Sequence, residues 1–142
     1  MTGRAFPTTY GPSEVPPSVR SLLSDLLPLL IEGAHPALAA LREQYQVATI
    51  RQVKLTGVGF FVDFDVPAGP PLTEPPDFTG GRAHIALTGV RHGAGCVLFV
   101  RGGRLSMFEG FTYGDVWSEN AQVTSVTSVV PIDPARGAPG TS

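Results

Sequence analysis

Gly93-Ala94-Gly95-Cys96-Val97-Leu98-Phe99-Val100-Arg101-Gly102-Gly103-Arg104-Leu105-Ser106-Met107-Phe108-Glu109-Gly110-Phe111-Thr112-Tyr113 is the stretch that decides the fold. An apolar run from Ala94 to Val100 meets a Gly-Gly pair and returns through Leu105, Met107 and Phe108. This reads as a β-hairpin, because tight primed turns require positive φ at one or both central residues. Counting outward from a two-residue turn pairs Val100 with Leu105, Phe99 with Ser106, Leu98 with Met107, Val97 with Phe108 and Cys96 with Glu109. One face then carries Val100, Leu105, Leu98, Met107, Cys96 and Glu109. The other carries Phe99, Val97, Phe108 and Ser106. With both faces largely apolar, the hairpin is expected at the centre of a sheet, or with one face against something other than solvent.

Before the hairpin, Arg82 to Val90 alternates as a strand, with Ala83, Ile85 and Leu87 on one side and His84, Ala86 and Thr88 on the other. Residues 67–81 hold five prolines and three glycines, which makes them a loop of a length usually associated with mobility or function. The clearest strand precedes it: Phe60, Val62, Phe64 and Val66 point one way, Phe61, Asp63 and Asp65 the other. Val47 to Leu55 also alternates, and Thr56-Gly57-Val58-Gly59 between the two is a bend. Leu55-Thr56-Gly57-Val58 recurs as Leu87-Thr88-Gly89-Val90, but two copies of four residues do not establish a repeat.

The N-terminal third has a helical period. Val19, Leu22, Leu23, Leu26, Leu27 and Leu30 form one stripe behind Ser18, a candidate N-cap. Pro28 should kink or split this helix, and Gly33 should stop it. A second helix is expected from Pro36, with Leu38, Leu41 and Tyr45 inward and Arg42, Glu43 and Gln46 wet. Residues 1–17 read as an extended arm, 18–130 as one domain, with a late Val/Thr-rich strand from Val123 to Val130, and 131–142 as a disordered tail. Helices followed by strands predict an α+β domain: two N-terminal helices on an antiparallel sheet of five or six strands around the Gly-Gly hairpin.

Composition narrows the function classes. The chain has 142 residues, 42% of them hydrophobic and 15% charged, with a formal charge of −2, which suits one folded domain. Lys54 is the only lysine against nine scattered arginines, so no basic run tracks a phosphate backbone and no nucleic-acid partner is expected. The single cysteine, Cys96, excludes an intramolecular disulfide and a multi-thiolate metal site. No signal-peptide core or membrane span is evident, and the expected location is cytoplasmic, away from membranes.

No catalytic set assembles from the spacing. Asp63 and Asp65 share a strand face and could hold a hard cation or perform acid–base work, but solvated residues on a half-buried strand give the same pattern. His35, His84 and His92 lack ligand spacing, so no metal or cofactor is expected. Cys96 lies in an apolar strand, where a free thiol behaves as a small hydrophobe. Gly93-Ala94-Gly95 opens into a strand, so no helix dipole faces a phosphate. Glu109 is the anomaly: it is expected to reach the sheet rim and pair with Arg82 or Arg91, the alternative being a carboxylate of raised pKa lining a pocket. Phe108, Phe111, Tyr113 and Trp117 are either core residues or interface anchors.

The blocks Thr56-Gly57-Val58-Gly59-Phe60-Phe61, Gly93 to Arg101, Gly103-Arg104-Leu105-Ser106, Glu109-Gly110 and Thr112-Tyr113 resemble a small, mostly uncharacterised bacterial family over about residues 38–119. The overall look of the chain is similar in style to immunity proteins that neutralise bacterial toxins. With no catalytic set and a hairpin apolar on both faces, the expected function is a non-enzymatic interaction module with a protein partner, immunity-like in style, and an exposed sheet face could instead make a homodimer. Its contact surface would comprise the hairpin, the aromatic segment and the Pro-rich loop. The rival is a small-ligand binder or enzyme with a pocket around Glu109, His84 and Asp63.

Overall fold

The Gly102-Gly103 turn is where the chain's two halves meet. In the computed structural model, which describes residues 8–117 and 120–130, both glycines have positive φ (60° and 78°), and Arg101 lies opposite Arg104. The turn joins two long strands of a seven-stranded antiparallel sheet, more strands than the sequence pattern predicts. The strands are β1 (Thr8–Tyr10), β2 (Thr49–Leu55), β3 (Gly59–Asp65), β4 (Phe78–Leu87), β5 (Val90–Arg101), β6 (Arg104–Thr112) and β7 (Val123–Val130). Their order is β1-β2-β3-β6-β5-β4-β7, which places the hairpin at the centre as expected. Both Leu-Thr-Gly-Val copies lie at hairpin turns, between β2 and β3 and between β4 and β5. The expected tail 131–142 and the first seven residues of the arm lie outside the described residues. The rest of the arm forms β1 and a single 3-10 turn, Pro12–Glu14, rather than a plain extended segment.

The hairpin register departs from simple counting. Val100 pairs with Leu105, but Phe99 pairs with Met107, so Ser106 is an extra residue on β6. A one-residue bulge exchanges the faces of everything beyond it. Leu98 therefore faces Phe108 and Cys96 faces Gly110 on the core side, while Val97 faces Glu109 on the opposite side. Burial decides the slip: Phe108 is fully buried, and counting without the bulge would place Met107 there instead.

Three helices cover one face: α1 (Pro17–Asp25), α2 (Leu27–Leu30) and α3 (Pro36–Val47). The break between α1 and α2 falls one residue before α2, which carries Pro28 in its first turn, as the missing N–H demands. Ser18 is not the cap. Pro17 already supplies the first helical φ, so Ser18 lies inside α1 and its Oγ accepts the Trp117 indole N–H at 3.0 Å. His35 caps α3, its Nδ1 accepting from the Ala37 N–H at 3.0 Å. Tyr45 packs edge-on against Phe64, and its hydroxyl donates to Leu23 O at 2.9 Å, tying α3 to β3 and α1. Arg42, expected to stay wet, is half-buried and donates to Ile31 O and Gly33 O.

The Pro-rich segment acquires a structural role from the strand order. Because β3 pairs with β6, the chain must pass β6 and β5 before it can enter β4. Residues 66–77 make that crossing at the hairpin's turn. Gly103 N donates to Pro76 O, Thr73 N to Gly103 O, and Gly102 N to Asp77 Oδ1, at 2.7–3.0 Å. Gln44 of α3 pins the junction from within. Its Nε2 donates to Pro71 O and Gly103 O, and its Oε1 accepts from Leu105 N, each at 2.8 Å. The Pro-rich loop and the hairpin do form one unit, as a closed junction with Gly103 buried.

Edge strand β7 is built differently from the others. Val123, Val126 and Val129 pair with Leu87, Ile85 and Ala83, leaving Thr124 and Thr127 without an opposite residue. Two bulges thus convert the period-three sequence Val-Thr-Ser-Val-Thr-Ser-Val into one inward row of valines packed on the core. A twice-bulged edge is a poor template for further strand pairing.

Candidate functional site

The face of the sheet away from the helices is the surface with chemistry on it. Its side chains fall into rows that run across the strands. One row is Gln52, Asp63, Met107, Phe99 and Thr79. The next is Lys54, Phe61, Glu109 and Val97, continued on β4 by Arg82, which lies opposite Val130. A third is Phe111, Gly95, His84 and Ser128. Phe61, Val97, Phe99 and Met107 are half-buried here with no layer of the described residues above them, and Phe111 and Tyr113 are exposed.

Gly95 shapes this face. A Cβ at that position would lie 2.6 Å from Phe111 Cζ and 2.8 Å from the Tyr113 hydroxyl, so the two rings occupy the place of its side chain. Tyr113 stacks on His84, with centroids 5.5 Å apart and planes at 24°, and meets Phe111 edge-on at 5.7 Å. Beside this cluster is an open groove of about 550 Å³. Phe99, Val97 and the aromatic pair supply its apolar walls, and Thr79, Ser128, Val130 and Arg82 its β4–β7 side. Among the described residues, Arg82 and His84 are the only charged or basic side chains in that lining, and no carboxylate belongs to it.

The predicted site residues separate. Phe108 and Trp117 are core residues on the helix side, both fully buried, and are not interface anchors. Glu109, His84 and Asp63 share the uncovered face but occupy three different rows, and only His84 lines the groove. Asp63 accepts from Gln52 Nε2 at 2.8 Å, and Asp65 is exposed at the end of β3. Among the described residues no three His, Cys, Asp or Glu side chains come together in a way that could hold a metal ion. Cys96 points into the core, where burial pushes its thiol up to about 12 and leaves no thiolate to react at neutral pH.

Glu109 departs from the first expected course and follows the second only in its raised carboxyl. Flanked by Phe61 and Val97, it makes no ion pair with Arg82 or Arg91 among the described residues, and it does not line the groove. Arg82 lies two strands away, about 10 Å at the usual strand spacing. Burial among apolar neighbours raises the Glu109 carboxyl above its ordinary range. A raised carboxyl binds its proton more tightly in the folded state. The resulting penalty is absent below the unfolded carboxyl's range and grows as pH rises through the folded one. Glu109→Val is therefore expected to raise the melting temperature at pH 7 by a degree or two, in line with about 0.2–1 kcal/mol for a better cross-strand pair. The gain should shrink as pH falls toward about 4 and its titrating part should be gone below that. Melts across pH 3–8 check this, and an equal gain at both ends would refute the titration account.

Arg82, Gly95, Thr79, Ser128 and Val130 escape sequence reasoning. Gly95 carried a signal, since a glycine inside an apolar strand marks a close approach; the others depend on β7 lying beside β4. Comparison of the chain with protein families, with curated proteins and with solved structures yields no match. No helix among the described residues is long and apolar enough to cross a membrane.

Proposed function

We propose that this protein is a non-enzymatic interaction module, immunity-like in style, whose contact surface is the uncovered face of its sheet. The reading rests on one observation: Phe61, Val97, Phe99, Met107, Phe111 and Tyr113 all lie on a face that no element of the described chain covers. Aromatic and Met side chains on such a surface are typical anchors of protein interfaces. Separation of His84, Glu109 and Asp63 into different rows favours binding over acid–base chemistry, which needs its groups within hydrogen-bond reach. The contact region shifts from the hairpin tip and Pro-rich loop to the middle of β4, β5 and β6, because loop and tip are committed to each other.

The test is affinity capture from a lysate of the source organism, comparing wild type with Phe99→Ser, Tyr113→Ser and, as a control on the helix side, Glu43→Gln. A stoichiometric partner retained by the control and lost with both face variants is the expected result. A partner retained by all the variants would place the contact elsewhere and overturn the reading. Light scattering decides self-association separately: a concentration-independent monomer removes a second copy of the chain as the occupant.

A further inference from the structure

We infer that the groove beside Gly95 binds small organic acids, holding the carboxylate with Arg82 and the apolar body against Phe99, Phe111 and Tyr113. The inference rests on the uncovered face being a binding surface and assigns one part of that face a ligand chemistry.

Charge supplies the first argument. Among the described residues, Arg82 is the one permanently charged side chain in the lining, and it has no carboxylate partner there. Glu109 is separated from it by β5, and Asp63 is engaged by Gln52. A guanidinium presents a planar fork of donors that matches a carboxylate in bidentate fashion. Phosphate would demand more: among the described residues the lining holds a single fixed cation, and no helix N-terminus faces this side of the sheet.

Shape supplies the second. The groove's volume falls in the range of small-ligand sites, and its aromatic wall exists because Gly95 carries no side chain, which lets Phe111 and Tyr113 lie over that position. Tyr113 is held against His84, with its hydroxyl 3.5 Å from Nδ1, so the aromatic wall is stacked before any ligand arrives. Thr79 and Ser128 place hydroxyls in the same lining, where they can complete the hydration shell that a carboxylate loses. One ring or branched alkyl group with one carboxylate fills these requirements.

The probe is phenylacetate, titrated into the full-length protein and followed by ¹H–¹⁵N NMR, with phenylacetamide and benzylamine as the neutral and cationic counterparts. Saturable shifts centred on Arg82, Gly95 and Tyr113 are expected for the acid, with the amide at least about tenfold weaker and the amine weaker still. Arg82→Gln should weaken the acid about tenfold and abolish the discrimination against the amide. Val130→Glu, at an exposed position in the lining, should also weaken the acid by adding a like charge, without touching the core. Equal binding of acid and amide, unchanged affinity in Arg82→Gln, or no shift at millimolar acid overturns the assignment. A peptide ending in phenylalanine that binds at least tenfold tighter than phenylacetate at the same residues would reassign the groove to a protein chain end. The titration uses no protein partner, so acid binding without partner capture removes only the contact-surface reading. Partner capture without acid binding removes only this one.

Discussion

Gln44→Leu is expected to lower the unfolding free energy by about 3–5 kcal/mol, a large share of the 5–15 kcal/mol typical of such domains. At this chain length that corresponds to a drop of about 10–15 °C in melting temperature, measured by far-UV circular dichroism. Gln44 is fully buried and makes three hydrogen bonds of 2.8 Å to three backbone groups. Leucine matches its size but returns none of them. Gly103 O keeps its bond from Thr73 N, while Leu105 N and Pro71 O lose the bonds Gln44 gave them. Removing one partner of a buried polar pair exposes the full desolvation cost of the other. Gln44→Glu separates polarity from shape. It retains an acceptor for Leu105 N but aims a carboxylate at two carbonyl oxygens, so its carboxyl should titrate well above the unfolded value of about 4.3. The variant should be strongly destabilised at pH 7 and recover much of the loss below pH 4, where a protonated carboxyl can donate. A loss under 1 kcal/mol in Gln44→Leu would show that the junction does not depend on this peg.

Trp117→Ala is expected to cost about 3–5 kcal/mol, the range for truncating a buried aromatic. Trp117 is 0% exposed, packs at 5.0 Å on Phe60, and fixes the chain after β6 through Trp117 N to Gly57 O at 2.8 Å. Its indole N–H has Ser18 Oγ as partner, which joins this loop to α1. Ser18→Ala should cost about 1–2 kcal/mol by stranding that N–H, and much less in a Trp117→Phe background, where there is no N–H to strand. Urea titrations of the four proteins close this cycle. Because Trp117 is the only tryptophan, they should be followed by circular dichroism rather than fluorescence. A coupling near zero would mean the Ser18–Trp117 bond is energetically idle and that packing on Phe60 does the work.

Both residues show where sequence reading reaches and where it stops. Gln44 stands three residues after Leu41 and six after Leu38, on the inward stripe of α3. The sequence reading places only Leu38, Leu41 and Tyr45 inward and passes over Gln44, whose three partners belong to segments 27, 59 and 61 residues away. Trp117 reads as an aromatic anchor, yet whether an aromatic turns to a core or to a partner depends on which face the helices cover. Phe108 and Phe111, three residues apart on β6, take opposite faces by alternation alone, and the bulge at Ser106 decides which of them meets the core. The same bulge separated Glu109 from Cys96 and put the carboxylate on the uncovered side. In β7 the valine period of three was visible in the sequence and reads as a plain strand. Its meaning appears only against the period of two in β4.

The sequence by itself determined what short-range forces control. Gly102-Gly103 makes the turn because only positive φ closes it; Pro28 divides the first helix because it lacks an N–H; alternation from Phe60 to Phe64 makes a half-buried strand; and His35-Pro36 starts α3. Tertiary structure alone decided which strands are neighbours, and with that the crossing of the Pro-rich loop, the peg at Gln44, the groove beside Gly95 and the isolation of Glu109. The physical reason is that backbone sterics and side-chain period act within a few residues. Strand order and bulge position are settled by which arrangement buries the most apolar surface while pairing the most backbone groups, a comparison made across the whole chain.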